Sequence, residues 1–247
     1  MPGYGKKYDV IGIGVLVSDI FVQGASIGFF SYAIGHEARS FIGLEEGSKG
    51  KAAIIMHTGG SSANCLAALK YANPDLDVAY FTLLGIGRFS DVLYNDQKQR
   101  GIDVSGIVRR NNFQPGTSII LTSGRHSAGR DRAILTHYGS SDYLTDDDFL
   151  ANEEFLRSAR WLDISSFKEE TVDPLLRFIE RLKKESQGVK IFLAPSASMI
   201  EPKKEAVKEM LRHADVLVLN DLEAQYLADE EDMEKATIKL QRSGPRK

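Results

Sequence analysis

The alternation of short apolar runs with amphipathic segments constrains this chain more than any other feature. The apolar runs are rich in β-branched residues and have the length of strands that are buried on both faces. The predicted core strands are Tyr8–Val17, Asp77–Leu84, Ala159–Ile164, Val189–Leu193 and Asp215–Leu219. Helical patterns cover Thr171–Glu185, Pro202–His213 and Asp221–Ala228. Strands that alternate with helices of this length predict an α/β fold, a doubly wound and mainly parallel sheet covered on both faces.

The composition narrows the classes of function. The 247 residues carry a net charge of −3 and are 43% hydrophobic, which is typical of a globular chain with one large core. This balance gives no sign of a nucleic-acid-binding or membrane-surface protein. The single cysteine, Cys65, excludes an internal disulfide and fits a reducing compartment. Because the first apolar run is too short for a signal peptide or a membrane span, we expect a cytoplasmic protein.

A polar turn lies in the stretch from His57 to Tyr71. Gly59-Gly60-Ser61-Ser62 runs directly into a segment of strong helix formers. Glycine lets the backbone approach a ligand closely, and a helix start offers unpaired N–H groups. Asn64 adds a side chain that can both donate and accept hydrogen bonds. The turn therefore predicts a site for hydroxyls or oxyanions, and an ordinary N-cap with a flexible turn is the alternative.

Two more polar groups lie at the ends of predicted elements. Asp19 follows the first predicted strand, and ligands of open α/β sheets bind outside the carboxyl ends of the strands. A turn cap is the alternative role for Asp19. Asn220 and Glu223 begin a predicted helix, where Glu223 is either part of a site or an exposed helix residue. Gly12-Ile13-Gly14 is not followed by a third glycine or a helical pattern, which argues against a dinucleotide site.

A second structural unit is predicted outside the parallel sheet. Phe21–Ile55 is rich in glycine and aromatic residues and has no helical period, so it favours short strands joined by turns. Thr117–Thr122 and Ala133–His137 are typical of a hairpin. We therefore expect a small β lid formed by about residues 21–55 with part of 113–137, inserted into one α/β domain that covers residues 1–247.

The polar motifs resemble those of the ribokinase-like (PfkB) family of carbohydrate and nucleoside kinases. Gly59–Asn64 is similar to the family's Gly-Gly-x-x-x-Asn substrate motif, and Ala214–Ala224 to its strand with Asn-x-x-Glu. Phe81–Leu93 and Arg100-Gly101-Ile102-Asp103 resemble the block between them. Together with the first strand and its aspartate, these motifs cover essentially the whole chain in the order of the family. The resemblance implies a ribokinase-like fold and ATP-dependent phosphoryl transfer to a hydroxyl of a sugar or nucleoside.

The resemblance also implies roles for individual residues. Substrate hydroxyls would be bound by Asp19, Gly59, Gly60 and Asn64. The phosphates of ATP would lie at Asn220 and Glu223, with Glu223 ordering Mg²⁺ through water. A sugar or nucleoside is then the small-molecule partner, with no nucleic acid and no membrane. The resemblance further implies that the lid can mediate a homodimer.

One family motif does not occur in this sequence. The family carries a Gly-Ala-Gly-Asp segment, whose helix start forms an anion hole and whose aspartate is the catalytic base. No Gly-Ala-Gly-Asp occurs in the 247 residues. We therefore expect no catalytic base in this chain, which would be the substrate-binding part of a kinase and inactive alone. A catalytically inactive fragment that binds a polyol or a partner is the alternative, and the sequence does not distinguish one sugar or nucleoside from another.

Overall fold

The computed structural model describes residues 7–24, 27–34, 37–43, 50–123, 132–185 and 188–244, with the backbone alone between residues 28 and 42. The parts of the predicted lid at residues 25–26, 35–36, 44–49 and 124–131 lie outside the described residues. In chain order the strands are β1 (Tyr8–Ile13), β2 (Val17–Gly24), β3 (Gly28–Ile34), β4 (Glu37–Gly43), β5 (Ala52–Gly59), β6 (Val78–Gly85), β7 (Ile107–Arg110), β8 (Gly116–Ser123), β9 (Arg132–His137), β10 (Ala159–Ser165), β11 (Lys190–Ala194) and β12 (Val216–Leu217). The α-helices are α1 (Ser61–Ala72), α2 (Arg88–Gln99), α3 (Asp146–Ala151), α4 (Glu153–Arg157), α5 (Val172–Glu185), α6 (Ala197–Leu211), α7 (Asp221–Ala228) and α8 (Met233–Ser243).

The core is a six-stranded parallel sheet in the order β12-β11-β10-β1-β6-β7. Both faces are covered, which explains why its strands are apolar almost throughout; every residue of β6 is buried. The helix predicted at Thr171–Glu185 corresponds to α5, which buries Leu175, Phe178, Ile179 and Leu182 at helical spacing. The predicted α/β fold is confirmed.

The lid is a separate sheet in the order β5-β2-β8-β9, with β2 antiparallel to β5 and parallel to β8. Strands β3 and β4 form a two-stranded hairpin. The predicted small β lid is confirmed, although its strands extend beyond the predicted limits, since β2 begins at Val17 and β5 ends at Gly59. Within the described ranges, no helix is long and apolar enough to cross a membrane.

The structure corrects the position of Asp19. The predicted strand Tyr8–Val17 is two strands, β1 and β2, so Asp19 lies inside the lid sheet and not at the end of a core strand. The break has a physical cause, because side chains bind the backbone groups between the two strands. The Leu16 N–H donates to the Ser141 hydroxyl over 3.1 Å, and the Tyr80 hydroxyl donates to the Val15 carbonyl over 2.9 Å.

The helix predicted at Pro202–His213 is also corrected. Helix α6 begins five residues earlier, at Ala197, and contains Pro202. The proline is accommodated because the helix is kinked at Lys203, which has φ −132° and ψ 35°. The earlier start matters for the site, since it brings a helix N-terminus to the carboxyl end of β11.

Candidate active site

The Gly59–Gly60 turn connects the lid strand β5 to helix α1 and requires both glycines. Gly60 has φ +111°, a backbone conformation that side chains disfavour, and a Cβ there would lie 2.0 Å from the Val15 oxygen. A Cβ on Gly59 would lie 2.1 Å from Oδ2 of Asp19. The Asp19 carboxylate therefore packs directly on the turn. The structure brings these three predicted site residues together.

Asp19 is half-buried between two polar neighbours. In the lid register it lies opposite His57 of β5 and Ser118 of β8. Burial raises the pKa of Asp19, while a hydrogen bond from Ser118 and the proximity of His57 act in the opposite direction. His57 packs edge-on against Phe21, with ring centroids 5.8 Å apart. The proximity of His57 to Asp19 was not predictable from the sequence, because the two residues lie on different strands.

The first turn of α1 is tied to the sheet by Ser62. The Ser62 N–H donates to Oγ of Ser165 over 3.3 Å, and the two hydroxyls lie 3.0 Å apart. This N–H is therefore not free to bind an oxyanion. The start of α1 thus offers one donor fewer to a ligand than the sequence predicts. The N-cap is Gly60, and no side chain caps the helix start, which is compatible with the alternative of an ordinary N-cap. Asn64 lies exposed on the same turn.

Asn220 and Glu223 form a reciprocal capping box at the start of α7. The Glu223 N–H donates to Oδ1 of Asn220 over 2.9 Å, and the Asn220 N–H donates to Oε2 of Glu223 over 3.0 Å. The other Glu223 oxygen accepts from the Ala197 N–H over 3.2 Å. Glu223 thus joins the N-terminal ends of α6 and α7, and it is more than an exposed helix residue.

Hydrogen bonds connect the two halves of the site along one edge of the sheet. They run through Ser62–Ser165, Ser196–Ser166 and Ala197–Glu223, at the carboxyl ends of β1, β10, β11 and β12. Three strand spacings of about 4.8 Å separate β1 from β12, or about 14 Å in total. The starts of α1 and α7 therefore lie at one polar edge, where ligands of open α/β sheets bind, and Asp19 packs on the Gly59–Gly60 turn from the lid sheet.

The donor groups at Glu223 fit a water-mediated magnesium ion. Magnesium in phosphate sites keeps several waters and takes few protein carboxylates. Each Glu223 oxygen accepts one backbone N–H and retains a second lone pair for a metal-bound water. Among the residues that the structure describes, no cluster of three or more His, Cys, Asp or Glu side chains could hold a metal directly.

A groove of about 950 Å³ lies beside Glu223, between α6 and α7. Apolar parts of Ile200, Leu222 and Tyr226 line it, and its rim carries several acidic side chains, those of Glu201, Asp229, Glu230 and Glu231. Salt bridges to Lys204 and Lys208 neutralise part of this negative charge at Asp229. Asn220 and Glu223 also line the groove, so it adjoins the residues that are predicted to bind the phosphates.

Two buried residues behind the turn were not predicted as site residues from the sequence. The Tyr80 hydroxyl donates to the Val15 carbonyl and lies near the Ala63 N–H of α1, so it lies between that helix and the loop that joins β1 to β2. Asp163 lies in β10 and is 4% exposed. An acidic residue inside the apolar run Trp161–Ile164 is unusual, so Asp163 could have been recognised from the sequence. Tyr80 could not, because a tyrosine in a buried strand is ordinary.

Comparison with known proteins identifies the family. The sequence pattern of the pfkB family carbohydrate kinases matches residues 29–247. The chain belongs to this family.

Individual relatives agree with this assignment. Adenosine kinase of Saccharomyces cerevisiae is 24% identical over 186 residues, which are 74% of this chain and 52% of that protein. The chain thus spans about half the length of that relative. Ribokinase of Giardia lamblia superposes with a TM-score of 0.76 at 15% identity, over 97% of this chain and 67% of that one. A putative ribokinase II of E. coli in complex with ATP and Mg²⁺ gives a TM-score of 0.71 at 17% identity, over 96% and 70%. At these identities the solved structures confirm the ribokinase-like fold.

Proposed function

We propose that this chain is the acceptor-binding part of an ATP-dependent kinase that phosphorylates a hydroxyl of a sugar or nucleoside. The contact between the Asp19 carboxylate and the Gly59–Gly60 turn carries the proposal. A carboxylate can accept from two neighbouring hydroxyls, and the turn without side chains lets the Asp19 carboxylate lie directly against the start of α1. Asn64, exposed one turn into α1, supplies a donor and an acceptor to the same ligand.

The lid environment strengthens these interactions. Burial around Asp19 lowers the local dielectric, so a hydroxyl that donates to its carboxylate is held more strongly than in water. A lid that closes over the acceptor also excludes water from the reacting phosphate. These effects position the acceptor hydroxyl.

The phosphates of ATP belong at the other end of the polar edge. Phosphoryl transfer depends mainly on positioning and charge neutralisation. Asn220 and Glu223 would hold Mg²⁺-ATP there through water, and Mg²⁺ supplies the neutralising charge when bound. The base that activates the acceptor hydroxyl comes, in this proposal, from a Gly-Ala-Gly-Asp segment that the 247 residues do not contain.

The proposal includes a cytoplasmic location and a homodimer through the lid. Four apolar side chains lie in register across the lid sheet on one face, and three of them are exposed: Met56, Ile20, Ile119 and Leu135. Light scattering should show a dimer that Leu135→Asp dissociates. A monomer at all concentrations would remove this part of the proposal.

Calorimetry with adenosine and D-ribose as probes tests acceptor binding. Hydrogen bonds to a charged group contribute about 1.5–3 kcal/mol, so Asp19→Ala should weaken binding about 10- to 150-fold. Asp75→Ala, at an exposed position, is the control and should leave the affinity unchanged. An unchanged affinity for Asp19→Ala would place the site elsewhere.

A coupled assay with Mg²⁺-ATP tests whether this chain binds the acceptor while a Gly-Ala-Gly-Asp segment supplies the catalytic base. The 247-residue chain should bind an acceptor without turnover, and a longer protein that includes a Gly-Ala-Gly-Asp segment should phosphorylate it. Turnover by the 247 residues alone would contradict the assignment of the base. Binding without turnover in the longer protein would favour a catalytically inactive, polyol-binding chain.

A further inference from the structure

A buried carboxyl group lies in the middle of the core sheet, below α1. Asp163 belongs to β10 and is 4% exposed. In register it faces Gly12 of β1, which in turn faces Tyr80 of β6. A Cβ on Gly12 would lie 2.8 Å from the Leu66 side chain, so α1 rests directly on this row. Asp163 thus lies in the interface between the sheet and the helix that carries Asn64.

This carboxyl group is only partly satisfied. Among the described residues, Oδ2 of Asp163 has no hydrogen-bond partner. The titratable side chains that face it are Cys65 of α1 and Tyr80 of β6, and neither carries a positive charge. Burial raises the pKa of Asp163, while Ser62 and Cys65 oppose the shift as hydrogen-bond donors. A buried polar atom without a partner destabilises the fold, so its presence calls for a reason.

The contacts of Asp163 converge on the first turn of α1. The Ser62 hydroxyl lies 3.1 Å from the Asp163 carbonyl, and the Cys65 thiol lies close enough to the Asp163 carboxyl group to interact with it electrostatically. Ser62 and Cys65 are three residues apart and therefore lie on one face of the helix. Burial, followed by the nearby Asp163, raises the pKa of the Cys65 thiol to about 12. Asn64 lies between these two anchored residues and is exposed.

We propose that Asp163 is a positioning residue for the acceptor site, which holds the first turn of α1 through Cys65 and thereby fixes the direction of Asn64. The unpartnered oxygen, Oδ2, is retained because the other carboxyl oxygen of Asp163 orders the start of α1. The proposal rests on the proposed function only in that Asn64 contacts the acceptor. The seating of the helix on Asp163 is independent of any ligand.

Thiol labelling tests, in the absence of a ligand, whether Asp163 holds the first turn of α1 through Cys65. Cys65 is the one cysteine of the chain, so iodoacetamide reports on it alone. In Asp163→Ala the thiol loses its acceptor and the neighbouring charge, and its labelling rate at pH 8 should rise at least ten-fold. Asp148→Asn is the matched control, because Asp148 is also buried but pairs with Arg110 away from α1. Equal labelling of Cys65 in wild type and Asp163→Ala would overturn the proposal.

Hydrogen exchange tests whether Asp163 orders the first turn of α1. The amides of Ser62, Ala63 and Asn64 should exchange at least ten-fold faster in Asp163→Ala, and near the wild-type rate in Asp163→Asn, whose amide oxygen still accepts from the thiol. If Asp163→Ala does not fold, Cys65→Val removes the donor and should loosen the same amides. Unchanged exchange in the folded variants would overturn the proposal.

Calorimetry with adenosine and D-ribose tests whether Asp163 affects the affinity for an acceptor. Asp163→Ala should weaken binding at least ten-fold, and Asp163→Asn should restore it to within about three-fold of wild type. A purely structural role would leave the affinity of both folded variants unchanged, which would contradict the proposal. If the wild-type chain binds neither probe, the acceptor assignment fails, and labelling and exchange still decide whether Asp163 seats the helix.

Discussion

The buried hydroxyl of Tyr80 offers the most quantitative test of how the site is built. Tyr80→Phe removes one oxygen and keeps the ring, which is fully buried in β6. The Val15 carbonyl then loses its donor. An unsatisfied buried group costs about 1–3 kcal/mol. Taking the middle of this range, we expect the free energy of unfolding to fall by about 2 kcal/mol.

Thermal and urea unfolding measure this effect. A loss of about 2 kcal/mol lowers Tm by about 4–8 °C in a chain of this size. Tyr71→Phe is the matched control, because Tyr71 lies on α1 and is 93% exposed; we expect a change below about 0.5 kcal/mol. Thr82→Val removes a buried hydroxyl that has no hydrogen-bond partner in the described part of the chain, and it should be neutral or stabilising. If Tyr80→Phe is as mild as Tyr71→Phe, the hydroxyl does not stabilise the loop between β1 and β2.

Three further substitutions test other parts of the site. Gly59→Ala places a Cβ against the Asp19 carboxylate, so it should destabilise the fold by about 1–3 kcal/mol and abolish acceptor binding; wild-type affinity in calorimetry would refute the close packing. Asn220→Ala removes one side of the capping box with Glu223 and should cost about 0.5–2 kcal/mol in urea unfolding, whereas no loss would show that the cap is unimportant. Asp163 has a raised pKa in the fold, so the native state binds more protons than the unfolded chain, and stability falls as pH rises from the ordinary carboxyl pKa through the raised one. Asp163→Asn should remove this decline and be more stable than wild type at neutral pH; parallel pH profiles would contradict the assignment.

The sequence predicts the parallel sheet well because both faces of that sheet are covered. Burial on two sides demands continuous apolar runs, such as Val78–Gly85, and these are visible without any tertiary information. Helix α7 is equally readable, since Asn220 and Glu223 form a local capping box. In both cases the determinants are close in sequence.

The features that the sequence predicts poorly depend on distant partners. The division of Tyr8–Val17 into two strands results from Tyr80 and Ser141, which are 65 and 125 residues away from the groups that they bind. The proximity of Asp19 to His57 is a matter of register in the lid sheet. Asp163 owes its importance to α1, which lies on top of it. Local patterns do not contain such information.

The position of a bound acceptor tests the central claim most directly. A crystal structure of the chain with adenosine or D-ribose should show ligand hydroxyls within hydrogen-bond distance of the Asp19 carboxylate and the Asn64 amide, beside the Gly59–Gly60 turn. A ligand that instead occupies the groove between α6 and α7, with no contact to Asp19 or Asn64, would contradict the account.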